Sequence, residues 1–269
     1  MKDVSFSIED GTIFGFLGPS GAGKSTTQQL MTGLLALQTG AIRYDGTPLG
    51  RLGNEFYNSI GVSFEHPNVF GKLTGLENLA YHAGLYSVPT EEPLRLLETV
   101  GLRNAAGKRA SAYSKGMKQR LVFARSLINR PGILFLDEPT SGLDPSTAER
   151  VKEIIRQKRA EGCTIFLTTH NMQTADELCD VVAFLNDGEI VAMDAPRELK
   201  LAYGERSVAV EYRDGAAAEG GRGTSVRREL LFPEKAEDAV RLTSLIESGA
   251  VETIHSQEAT LEQIFIRLT

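Results

Sequence analysis

Between an apolar run, Thr12-Ile13-Phe14-Gly15-Phe16-Leu17, and a helix-compatible segment stands Gly18-Pro19-Ser20-Gly21-Ala22-Gly23-Lys24-Ser25-Thr26, which fits the pattern G-x-x-x-x-G-K-[ST]. Its glycines let the chain curl so that successive backbone N–H groups point at one anion. A helix starting near Lys24 turns its positive dipole end toward the same anion. The chemistry is phosphate binding, with Lys24 on the β- and γ-phosphates of a nucleotide and Ser25 on Mg²⁺. An ordinary glycine-rich turn before a helix is the competing reading; the preceding strand and the Lys-Ser ending argue against it.

Asp137 and Glu138 end a second apolar run, Ile133-Leu134-Phe135-Leu136, and Pro139 follows them. In a continuing strand their side chains would face opposite ways. The proline favours a turn, so both carboxylates can be aimed into a site at the C-terminal edge of a sheet, where open α/β folds bind ligands. Asp137 is then expected in the Mg²⁺ shell, and Glu138 as the acceptor of a proton from an attacking water. Capping of a helix or loop start by the same acids is the competing reading, and the phosphate loop upstream argues against it. Upstream, Ser114 is a good N-cap, yet Lys115, Lys118 and Arg120 put positive charge where a helix already carries its positive end. An anion brought there would relieve the mismatch; a solvated basic turn is the alternative. His66, His82 and His255 stand apart from any ligand pattern, which leaves His170.

These residues need a sheet to hold them. Alternation in Val4-Ser5-Phe6-Ser7-Ile8, a turn at Asp10-Gly11 and the run from Thr12 predict a β-hairpin feeding the phosphate loop. Short strands are expected at Ala41–Tyr44, ending at Asp45-Gly46, and at Ile60–Phe64. Leu76–Tyr86, Glu91–Val100 and Lys115–Ile128 carry helical periodicity, which makes a helical subdomain inserted over about residues 72–130. Ile133–Leu136 reads as a buried parallel strand, and a helix through Ser146–Glu161 with a strand at Cys163–Leu167 completes a βαβ unit. Val181–Leu185, Asn186-Asp187-Gly188 and Glu189–Met193 form a hairpin signal. Gly215 to Gly221 reads as a loop inside a small C-terminal module, and Arg213, Arg222, Arg227 and Arg228 read as a solvated face.

With 269 residues, 41% of them hydrophobic, the chain can build one large α/β core and a small appendage. A net charge of −6 argues against a nucleic-acid backbone as the main partner, which needs clustered Lys and Arg. No apolar run approaches the roughly 20 residues that span a bilayer, and no signal-peptide pattern is visible. The protein is therefore expected in the cytosol, or held to the inner side of a membrane by a partner. Cys163 and Cys179 lack metal-ligand spacing and read as reduced, buried thiols.

The phosphate loop, Tyr113-Ser114-Lys115-Gly116-Met117, Leu136-Asp137-Glu138-Pro139, Ser141-Gly142-Leu143-Asp144 and the strand-terminal His170 together resemble, in order and spacing, the ATP-binding cassette ATPases of transporters. Tyr113 to Arg120 is similar to the signature of the multidrug and antibiotic export branch, and Ala259 to Phe265 to the tail of those ATPases. The resemblance implies an α/β fold: a P-loop NTPase, RecA-like core with a parallel sheet, an N-terminal antiparallel β subdomain, the inserted helical subdomain, and a small C-terminal α+β module. It sets the ATPase domain at residues 1–205 and the module at 206–269.

The resemblance also implies an Mg²⁺-dependent ATPase with Lys24, Glu138 and His170 as catalytic residues and Ser25, Glu65 and Asp137 around the metal. His170 would hold the γ-phosphate and the attacking water. Ser114 and the backbone of Gly116 would touch the γ-phosphate of a second ATPase subunit, and Asp144 would couple the two sites of a homodimer. Separate integral membrane permease subunits would dock around Glu65 to Leu79 and the inserted helices, holding the protein at the cytoplasmic face of the membrane. Two departures stand out. Glu65 replaces the family's usual glutamine, adding negative charge beside Asp137 and Glu138. The aromatic residue that stacks on adenine, and the strand that precedes it, have no counterpart ahead of Lys24, which suggests a chain that begins late or a stacking group from elsewhere. An alternative reading is a soluble cassette protein that switches the conformation of a cytosolic partner, although no second cassette, coiled-coil insertion or basic surface is evident. A non-hydrolysing adaptor is disfavoured by the presence of both Glu138 and His170.

Overall fold

The structure, a computed structural model, describes residues 2–205, 207–213 and 226–269. The chain divides into two compact units, one reaching to Ala195 and one from Pro196. The first runs β1 (Ile13–Leu17), α1 (Lys24–Met31), β2 (Arg43–Tyr44), β3 (Thr47–Pro48), α2 (Phe56–Ser59), β4 (Ile60–Ser63), α3 (Gly75–Ala83), α4 (Pro93–Thr99) and α5 (Lys115–Ser126). It continues with β5 (Ile133–Asp137), α6 (Pro145–Ala160), β6 (Thr164–Thr169), α7 (Met172–Leu178), β7 (Val181–Asn186) and β8 (Glu189–Asp194).

Six strands form one sheet in the order β4-β5-β6-β1-β7-β8, with every pairing parallel except that of β7 with β8. β1 lies inside the sheet and is buried along its whole length, as a continuous apolar strand must be when both faces are covered. Because β4, β5, β6 and β1 run the same way, their C-terminal ends share one edge. Glu65, the Asp137-Glu138 pair, His170 and the phosphate loop follow those four ends in that order. The turn between β7 and β8 holds Asp187 and Gly188 at φ 47° and 80°, the paired left-handed conformation of a tight hairpin. The β2–β3 ribbon uses the same device at Asp45 and Gly46, with φ of 48° and 76°.

The hairpin expected between Val4–Ile8 and the run from Thr12 does not form, because both edges of β1 are taken: Leu17 is in register with Thr169 on one side and Phe184 on the other. Val4, Phe6 and Ile8 instead pack on the face of the sheet, where Phe6 stacks on Phe14 with ring centroids 5.2 Å apart. The alternation reported one-sided burial, not pairing. The antiparallel ribbon of this region is β2–β3, which shortens the strand expected at Ala41–Tyr44 to its last two residues.

The inserted helices α3, α4 and α5 connect β4 to β5, which are neighbours in the sheet. α3 opens on a full capping box: Thr74 Oγ1 accepts from the Glu77 N–H at 3.1 Å, and Glu77 Oε2 accepts from the Thr74 N–H at 2.8 Å. Cys163 and Cys179 are free and buried, and burial pushes the Cys163 thiol up to about 11.

The second unit comprises α8 (Pro196–Tyr203), β9 (Ser207–Arg213), β10 (Val226–Leu231), α9 (Ala236–Glu247), β11 (Val251–Gln257) and α10 (Leu261–Leu268). Its antiparallel sheet has the order β10-β9-β11 around a core of Val210, Tyr212, Leu231 and Leu245. Arg213, Arg227 and Arg228 are exposed; the loop expected at Gly215–Gly221, and Arg222, lie outside the described residues. No helix among the described residues is long and apolar enough to cross a membrane.

Candidate active site

The loop after β1 owes its path to glycine. Gly18, Gly21 and Gly23 have φ of 155°, 86° and 109°, and a Cβ on Gly18 would lie 2.1 Å from the carbonyl oxygen of Leu185. Gly23 is the N-cap of α1, so Lys24 opens the helix. Its ammonium folds back over the loop and donates to the carbonyls of Gly18 at 2.8 Å and Pro19 at 3.0 Å. Burial pulls the Lys24 pKa below the ordinary lysine value, against the opposing pull of the Glu138, Asp137 and Glu65 carboxylates. All three acids therefore act on one cation. Around it Ala22 is buried and Ser25 half-buried, while Pro19, Ser20, Gly21 and Thr26 are exposed.

β5 ends at Asp137, and the backbone then turns through Glu138 at φ 49°, an uncommon conformation for a residue with a side chain. This turn, more than Pro139, decides where both carboxylates go. Asp137 Oδ1 accepts from the hydroxyl of Thr168. Glu138 Oε2 accepts from Thr169 Oγ1 at 3.0 Å, while Oε1 accepts from the His170 N–H at 2.8 Å and lies 2.6 Å from His170 Nδ1. The Glu138 side chain is 8% exposed and that of His170 63%, so the acid is shielded and the imidazole faces outward. Thr168 and Thr169 went unnoticed in the sequence reading. Their signal was there: two hydroxyls between an apolar strand and a histidine, placed by the register Asp137↔Thr168.

Ser114, Gly116 and Asp144 form a second group. Ser114 Oγ accepts from the Met117 N–H at 3.2 Å and caps α5; Asp144 Oδ1 accepts from the Thr147 N–H at 3.0 Å and caps α6. Hydrogen bonds from Thr147 hold the Asp144 carboxyl below the usual carboxylate range. A Cβ on Gly116 would come within 3.4 Å of Leu143, so the two turns pack together. Arg120, grouped with Lys115 and Lys118 as charge awaiting an anion, does something else: Nη1 donates to the carbonyls of Val100 and Gly101 at 3.1 and 3.2 Å, beyond the end of α4. Glu65 is exposed after β4, with His66 Nδ1 at 4.0 Å.

The ABC transporter family model matches residues 1–141. The chain is 52% identical over 270 residues to a fluoroquinolones export ATP-binding protein of Mycobacterium tuberculosis (strain CDC 1551 / Oshkosh), covering 100% of this chain and 87% of that protein. The chain belongs to the ABC transporter family. A Nod factor export ATP-binding protein I of Cupriavidus pinatubonensis is 33% identical over 279 residues, covering 100% of this cassette and 86% of its own length. A dimeric ATP-binding cassette solved in a post-hydrolysis state with ADP and Pi superposes with a TM-score of 0.66 at 27% identity, covering 72% of this chain and 90% of that one. The cassette is thus an ATP-binding, ATP-hydrolysing α/β domain of the transport family.

Proposed function

We propose that the chain is the motor subunit of a drug or antibiotic exporter, working as a dimer with a separate membrane permease. The observation that carries the catalytic part is the Glu138–His170 contact of 2.6 Å at the sheet edge that also holds Lys24. In this reading a water attacks the γ-phosphorus of ATP, the bond to the bridging β–γ oxygen breaks, and the water's proton passes to the Glu138 carboxylate. Glu138 also orients His170 through Nδ1; Nε2 then accepts from the attacking water in the neutral ring and donates to the γ-phosphate in the imidazolium. Lys24 leaves its two loop carbonyls for the phosphates.

No group of three or more His, Cys, Asp or Glu side chains that could hold a metal ion occurs among the described residues. The oxygen donors Ser25, Asp137 and Glu65 nonetheless suit Mg²⁺, which is commonly held by one or two carboxylates together with substrate phosphates. Bound there, Mg²⁺ would neutralise phosphate charge.

Names of relatives support the export reading, since the Mycobacterium protein is called a fluoroquinolones export ATP-binding protein. A dimer is supported by the dimeric cassette neighbour, and would bring Ser114, Gly116 and Asp144 of one subunit to the phosphate loop of the other. The surface around Phe70, Leu76, Tyr81 and Leu85, exposed and apolar, suits a permease contact. The test is hydrolysis and resistance together. ATP turnover should vanish on chelating Mg²⁺, and cells carrying the cassette with its permease should tolerate a fluoroquinolone only when Lys24 is intact. Equal tolerance with Lys24→Ala would remove the motor from the export reading.

A further inference from the structure

Among the described residues, three buried side-chain polar atoms have no hydrogen-bond partner: Gln28 Oε1, Ser63 Oγ and Asn129 Oδ1. Two of them belong to side chains that meet. Gln28 Nε2 donates to the Ser63 carbonyl at 3.4 Å, and the two residues are 1% and 0% exposed. Turning the Gln28 amide over would set its oxygen against that carbonyl, so Oε1 is the atom left orphaned. An apolar pair would leave no orphan, and neither element needs these polar side chains, since α1 and β4 are built from backbone hydrogen bonds. An unmatched buried acceptor and hydroxyl cost stability. Such a cost is kept where it serves a site.

The phosphate site lies one helical turn away. Gln28 follows Lys24 by four residues and Ser25 by three, which makes it a neighbour of both on α1, and Lys24 and Gln28 are both buried. Across the seam Ser63 ends β4, in register with Leu136, the residue before Asp137, and Glu65 follows it by two. The Glu65 carboxylate acts on Lys24. The Gln28–Ser63 contact therefore ties the helix that carries Ser25 to the strand that leads to Glu65, beside the strand that carries Asp137. Apolar packing alone would hold helix and strand together without fixing how far one slides along the other; hydrogen bonds are directional.

We propose that Gln28 and Ser63 hold one buried water between α1 and β4, and that this polar seam positions Ser25 and Glu65 for Mg²⁺. The water accepts from the Ser63 hydroxyl and donates to Gln28 Oε1, which satisfies both orphans. Gln28 and Ser63 are positioning residues that touch neither the metal nor the nucleotide. The seam's role rests on the reading of Ser25 and Glu65 as metal donors.

The test combines urea unfolding of the full-length protein with Mn²⁺ titration in the presence of a sub-stoichiometric, non-hydrolysable ATP analogue, read from the electron paramagnetic resonance of free Mn²⁺. Steady-state hydrolysis against Mg²⁺ accompanies them. Gln28→Met with Ser63→Ala fills the seam with apolar atoms of similar size. That double variant should unfold at a urea midpoint no lower than wild type, because removing both polar groups together is close to neutral or stabilising. It should nonetheless bind Mn²⁺ about tenfold more weakly and need about tenfold more Mg²⁺ for half-maximal hydrolysis, with kcat at saturating Mg²⁺ within about twofold. Ser63→Ala alone leaves the Gln28 oxygen orphaned, so it should weaken Mn²⁺ in the same direction and have a midpoint below that of the double variant. Wild-type Mn²⁺ affinity in both variants overturns the seam alone. A weaker affinity in the double variant that comes with a midpoint below wild type overturns it too, as does a Ser63→Ala midpoint at or above that of the double variant. A wild type that binds no Mn²⁺ with the analogue overturns both the seam and the metal reading on which it rests.

Discussion

At Glu138 three donors converge on one shielded carboxylate, and the backbone that delivers it sits in a conformation that side chains seldom adopt. Such strain persists only where the surroundings enforce it, here through the β5–β6 register and the contacts to Thr169 and His170. Glu138→Gln keeps the shape and the Oε1 contact but cannot take a proton. Turnover should fall by at least about a hundredfold with ATP binding retained, as expected for loss of a positioned base. Lys24→Ala should lose nucleotide affinity instead. Parallel measurement of hydrolysis and of ATP binding separates the two, and near-normal turnover in Glu138→Gln would remove the base. In Leu136-Asp137-Glu138-Pro139 the acids and a turn beside the proline were legible, whereas the hydrogen-bond partners and the positive φ of Glu138 were not, because no local rule places a glutamate at positive φ.

Among the elements, α5 and its seat on β4 decide most. Gly61→Ala would force a Cβ into the Ser126 carbonyl, and overpacking of this kind costs roughly 1–3 kcal/mol. Urea unfolding should show that loss; a variant as stable as wild type would mean that helix and strand part easily. The junction of α3 and α5 also carries a pH signature. Burial, helped by the Arg125 guanidinium, pushes the His82 imidazole down to about 4 from an ordinary 6.5. The folded pKa is the lower one, so between 6.5 and 4 the unfolded chain binds the proton more readily and stability falls as pH falls through that window. Wild type should therefore lose more stability than His82→Gln between pH 7.5 and pH 5, read from urea midpoints. Equal losses would place the acid sensitivity elsewhere.

For the whole molecule, the phosphate loop and Ser114 belong to different groups of the same chain, and two copies are needed if one completes the other. Mixing Ser114→Arg subunits with Lys24→Ala subunits creates heterodimers with one intact and one doubly damaged site. Activity should reappear on mixing two inactive proteins, up to the level that single-site firing allows. Hydrolysis that is first order in wild-type protein at every dilution would sink shared sites.

Reading along the chain was enough for the phosphate loop, the acid pair, the inserted helices and the β7–β8 hairpin, because each depends on spacing within a few residues: a glycine where φ is positive, a 3.6-residue period, an Asp-Gly turn. The segment from Val4 to Ile8 shows the limit. Its alternation says that one face is buried but not against what, and the answer depends on β6 and β7, far along the chain, filling both edges of β1. Thr168 and Thr169 acquired their partners from the register of β5 with β6. Arg120 and Arg125 look alike on one helix; tertiary packing alone gave the first to the carbonyls beyond α4 and the second to Asn68. Local conformation is set by neighbours in sequence, while the destination of a long side chain is set by whichever distant polar group lies within its reach.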